Sequence, residues 1–83
     1  MGDYLIPDAE IAAKFLMPGN LIDRGGHLMR VIHAARRDDR VDFVLADLDD
    51  GNRRILANIH GEVEVEQYIE VSEQEYNAAI GRH

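Results

Sequence analysis

Val41-Asp42-Phe43-Val44-Leu45-Ala46-Asp47-Leu48, then Asp49-Asp50-Gly51-Asn52, then Arg53-Arg54-Ile55-Leu56-Ala57-Asn58-Ile59 is the stretch that decides the fold. Two β-rich runs meet across an Asp-Gly-Asn turn, one of the strongest short-range signals for a hairpin. An antiparallel β architecture follows. Val41, Phe43 and Leu45 alternate, and Val44, Ala46 and Leu48 are apolar between them, as in strands wrapped into a small closed barrel. The spacing predicts Phe43 on the inner face with Val41 and Leu45.

Upstream, Arg24-Gly25-Gly26 reads as a turn joining a short strand over 20–23 to a second strand over 27–33, where Leu28, Met29, Val31 and Ile32 are available for packing. Asp8 is placed to cap a short helix over 8–16, which Pro18-Gly19 ends. Downstream of His60-Gly61, Glu62-Val63-Glu64-Val65-Glu66 alternates strictly. One face is then buried and the other is a row of carboxylates, the pattern expected of a charge-protected edge strand. Ser72 and Glu75 have the spacing of a capping box, which starts a helix over 73–80 before Gly81. The expectation is one domain over 1–83, with a five-stranded antiparallel barrel over 18–71 and a short helix at each end.

The segments Pro18-Gly19-Asn20-Leu21-Ile22-Asp23-Arg24-Gly25-Gly26, Arg30-Val31-Ile32, the strand 41–48 and Gly51-Asn52-Arg53-Arg54 together resemble SH3-like barrels of the KOW type. The nearest likeness is to the N-terminal domain of the elongation factor P family, over about residues 17–66. What the resemblance implies is an SH3-like fold, and for the loop Ala34-Ala35-Arg36-Arg37-Asp38-Asp39-Arg40 a functional position that a lysine fills in that family. Here arginines stand in that loop, and the only lysine is Lys14. The compact, cysteine-free, acidic format is also similar to that of small accessory proteins of bacteriophages and mobile elements.

With 83 residues the chain makes one small core, worth roughly 3–5 kcal/mol of net stability, and a deep enclosed active site is not expected. The absence of cysteine removes disulfide frameworks and thiolate metal sites, and it is compatible with a cytoplasmic location. No basic leader with a sustained apolar run opens the sequence, and no stretch approaches membrane-spanning length, so neither secretion nor membrane insertion is expected.

The net charge of −7 is unevenly placed. Asp3, Asp8, Glu10 and Asp23 face only Lys14 in the first part of the chain, and six glutamates face only Arg82 after residue 55. Between them lie seven arginines. Such a chain is repelled by phosphate backbones at long range, while arginine suits bidentate and stacked contacts at interfaces. Alternation of turns between the two barrel ends predicts Arg24, Arg53 and Arg54 at one end and Arg36, Arg37 and Arg40 at the other. These six are the candidate partner-binding residues.

Catalytic residues, cofactors and metal ligands are not expected. The four histidines have no H-x-x-x-H or HExxH spacing, and Asp47, Asp49 and Asp50 lack the glutamate that closes a calcium loop. Ser72, the only serine, is accounted for by its cap. The reading is a non-enzymatic module that binds a protein partner, as a monomer or weak homodimer. The alternative is a KOW-like RNA-binding protein that uses the Arg36 to Arg40 loop.

Overall fold

The structure, a computed structural model, describes residues 4–79. Its strands are β1 (Tyr4–Ala12), β2 (Leu21–Arg24), β3 (His27–Arg37), β4 (Arg40–Asp47), β5 (Arg53–His60) and β6 (Glu64–Val71), and α1 (Glu73–Ala79) follows. All pair antiparallel in one sheet of order β1-β6-β2-β3-β4-β5 that does not close. The fold is mainly β, as the sequence indicates. The described residues form six strands rather than five, in an open sheet rather than a barrel.

The additional strand is the segment predicted as the N-terminal helix. A helix over 8–16 has too few turns to be stable by itself. As β1 the same residues pair with β6 from Tyr4 opposite Val71 to Ala12 opposite Glu64, with a register break at Pro7 and Ala9 where proline has no N–H to donate. Only a single 3₁₀ turn, Ala13–Phe15, remains helical. Consequently β6 is not the charge-protected edge strand expected from its glutamates, because β1 and β2 flank it.

The hairpin forms as read. Asn52 N–H donates to the Asp47 carbonyl at 2.9 Å, and Gly51 (φ 60°) and Asn52 (φ 63°) take left-handed conformations that these residue types tolerate. The β3–β4 hairpin turns at Asp38-Asp39, so that Arg37 lies opposite Arg40. A bulge at Ile32 then shifts the β3–β4 register by one residue.

Alternation places the core. Met29 and Val31 from β3, Val41, Phe43 and Leu45 from β4, Ala57 from β5 and Ile22 from β2 converge with Ala13 and Leu16 of the N-terminal turn. Phe43 is inward as expected, 2% exposed. The N-terminal turn is fastened by Ala13 N–H to Val63 O at 2.8 Å and Lys14 N–H to Gly61 O at 3.1 Å. Gly61 in turn donates to Asp39 O at 2.7 Å, tying the β5–β6 and β3–β4 turns together. A Cβ at Gly61 would stand 3.2 Å from Lys14 Cβ and 3.3 Å from Asp39 O, so a side chain here would require this junction to give by a few tenths of an ångström. At the C-terminus Ser72 N–H donates to Glu75 and Glu75 N–H to Ser72 Oγ, both at 3.2 Å, forming the predicted capping box. Tyr76 stacks on Tyr4, 4.8 Å between ring centroids, and holds α1 against β1. The predicted helix end at Ile80-Gly81 lies outside the described residues. No described helix is long and apolar enough to cross a membrane.

Candidate functional site

The outer face of β3, β4 and β5 is organised in rows set by strand register. The central row is His33, Val44 and Leu56, with Ile32 in the bulge beside it. Leu56 is 82% exposed at the middle of β5, where it faces solvent between the inward Ile55 and Ala57. Val44, its neighbour in the row, is half-buried, and Ile32 in the bulge is also exposed. A shallow depression of about 290 Å³ runs along the row, lined by His33, Val44, Leu56 and the neighbouring Asp42 and Asn58. An isolated exposed leucine is ordinary; here Leu56 has the half-buried Val44 as its cross-strand neighbour on the same face.

Polar rows border the central row on both sides. On one side Asp42 faces Asn58, and Asn58 Nδ2 donates to Asp42 Oδ1 at 2.5 Å. Arg37 pairs with Asp42 Oδ2 at 2.8 Å, while Arg40 donates to the Asn58 side chain and to its carbonyl at 3.2 Å. The two guanidinium groups therefore lie on the sheet face instead of extending from the loop tip. On the other side Ala46 sits between Arg30 and Arg54 in register. Arg30 reaches Gly19 O and Glu70, and Arg54 donates to Asn52 O at 3.1 Å.

The six sequence-predicted arginines thus fall at the two ends as expected, yet each set is divided between faces. Arg37, Arg40 and Arg54 share the alternation of Leu56. Arg36 is opposite Val41, Arg53 opposite Asp47 and Arg24 opposite His27, all with the inward alternation. Arg53 approaches Asp50 at 3.6 Å. Arg36 contributes its charge to the surroundings of Glu62, whose carboxyl titrates below its ordinary value chiefly because Lys14 bonds it at 2.5 Å. Asp39, in the same loop as Arg36, Arg37 and Arg40, approaches His60 at 3.5 Å.

A cluster that sequence spacing does not show lies at the hairpin end. His27 Nδ1 is 3.0 Å from Asp47 Oδ2, and Asp49 completes a set of three donors all within 4.8 Å of one another. The signal for it was the register. The one-residue bulge in β3 brings Met29 opposite Asp47, leaving His27 one alternation beyond it on the same face. Extrapolating the two-residue Asp38-Asp39 turn without that bulge places the histidine on the wrong side.

No family model matches the chain and no curated protein or solved structure is similar to it, so the functional reading rests on this geometry.

Proposed function

We propose that this chain is a non-enzymatic binding module that docks a protein partner on the outer face of β3, β4 and β5. The observation that carries the reading is Leu56, 82% exposed beside Val44 in a row bordered by Arg37 and Arg40 on one side and Arg30 and Arg54 on the other. An apolar centre ringed by polar residues, with arginine enriched, is the anatomy of a protein interface. The arginines contribute orientation and hydrogen bonds at the rim, and Leu56 is the anchor that desolvates. Nucleic acid is less well served. Phe43 is buried and stacks no base, and the arginines of the Arg36 to Arg40 loop are split between two faces instead of forming one phosphate-tracking groove.

The experiment is capture of partners by the tagged chain from bacterial lysate, with and without nuclease, at low and high salt. A stoichiometric protein that survives nuclease is expected, with modest salt sensitivity because the anchor is apolar. Recovery of nucleic acid that is lost as salt rises would overturn the proposal and direct attention to Arg36, Arg37 and Arg40.

A further inference from the structure

The His27, Asp47 and Asp49 cluster lies away from the central row, at the end of the sheet where β3 begins and β4 runs into the Leu48–Asp50 turn. Three features of its chemistry stand out. Asp47 is nearly devoid of solvent, its side chain 6% exposed, whereas His27 is 53% exposed, so the set is a buried carboxylate beneath an accessible imidazole. Both carboxylates are oriented by the backbone: Asp49 N–H donates to Asp47 Oδ1 at 3.0 Å, and Leu28 N–H donates to Asp49 Oδ2 at 2.9 Å. This leaves Asp47 Oδ2 facing His27 Nδ1, and Asp49 Oδ1 without a hydrogen bond among the described residues.

We propose that His27 Nδ1, Asp47 and Asp49 form a binding site for a divalent transition-metal ion, with zinc bound more tightly than manganese. Two donors at about 2.1 Å from one ion are about 3.0 Å apart at right angles and about 3.4 Å apart at the tetrahedral angle, so the His27 to Asp47 separation of 3.0 Å matches the former and needs a small opening for the latter. All three donors lie within 4.8 Å of one another, so sharing one ion requires a further approach of the exposed His27 and Asp49 side chains. One imidazole and two carboxylates make a borderline-hard donor set that suits zinc or manganese, and water fills the remaining positions on the open side. The amide bonds to Asp47 and Asp49 play the part that outer-sphere partners play at metal centres, fixing each carboxylate before the ion arrives. In the metal-free chain the Nδ1–H tautomer donates to Asp47. On binding, Nδ1 becomes the ligand and the ring proton resides on Nε2, with no net proton lost from a neutral imidazole.

The test is calorimetric titration of the full chain with zinc chloride at neutral pH, alongside His27→Ala and Asp49→Asn. Both changes are at exposed side chains, and the asparagine keeps an acceptor for Leu28 N–H, so neither variant is expected to unfold. One saturable site is expected, weakened more than about tenfold in each variant. Titration with manganese should broaden the amide resonances around Leu28, Asp47 and Asp49 first, and the ¹⁵N shifts of His27 should report the tautomer change. Absence of saturable zinc binding, unchanged affinity in His27→Ala, or broadening centred on His33 or His60 would overturn the proposal.

Discussion

Two leucines one residue apart in cross-strand register give a direct measure of how the sheet divides inside from outside. Leu45 on β4 is fully buried in the core, whereas Leu56 on β5 is 82% exposed. Truncating Leu45 to alanine removes buried methyl groups and leaves a cavity, which costs about 2–5 kcal/mol. For Leu56 only about a fifth of a side chain is withdrawn from solvent. A full burial is worth about 1.5–3 kcal/mol, so Leu56→Ala should cost about 0.5 kcal/mol. The same chemical change therefore has effects differing by about 1.5 kcal/mol or more. Against a total of roughly 3–5 kcal/mol for a core of this size, Leu45→Ala loses about 40% or more of the stability. Urea titrations followed by circular dichroism at equal protein concentration measure both variants. If Leu56→Ala proved as damaging as Leu45→Ala, Leu56 would be buried in the folded chain and the exposed row would not exist.

Further outcomes follow from particular contacts. Gly51→Ala forces a Cβ into a left-handed conformation at φ 60° and should cost about 1–2 kcal/mol by urea titration, with no loss expected if the turn instead relaxes to negative φ. Ser72→Ala removes one half of the reciprocal cap on α1, about 0.5–2 kcal/mol, visible as faster amide exchange confined to residues 73–79; uniform loss of protection would contradict a local role. Because Lys14 depresses the Glu62 carboxyl in the folded chain, the stability from this pair is present above the unfolded-state carboxyl range and is lost as pH falls through the folded value. Lys14→Met should return the Glu62 titration, followed by carbon NMR, towards its ordinary value, and an unchanged titration would show that the pair does not form.

Much of the fold was legible because local chemistry and pattern agree. Asp-Gly-Asn fixes the β4–β5 hairpin, Val41, Phe43 and Leu45 declare the inner face, and Ser72 with Glu75 announces α1. The N-terminus was misread because Asp8 through Lys14 suits a helical first turn as well as a strand, and the decision belongs to a distant partner, the unpaired side of β6. The glutamates of β6 were misread for a related reason. Alternating carboxylates mark a solvated face of a strand, and a face carries no information about which strand lies beside it. Closure into a barrel likewise depends on how far short β2 can bridge β6 and β3, and only Leu21 and Ile22 reach β6. At the candidate surface, Ile55-Leu56-Ala57 is apolar throughout, so the sequence contains Leu56 but not its exposure. The arginines were assigned to the correct ends of the sheet, while the face each one occupies depends on the parity that strand register confers.

The most direct test of the proposed interface compares capture of the nuclease-resistant partner by wild-type chain and by Leu56→Lys, with circular dichroism to establish that both are folded. A loss of retained partner of at least about tenfold is predicted, since an anchor of this kind contributes more than about 1 kcal/mol and the lysine adds the cost of desolvating a charge. Equal capture by the two proteins would contradict the assignment of the partner to the outer face of β3, β4 and β5.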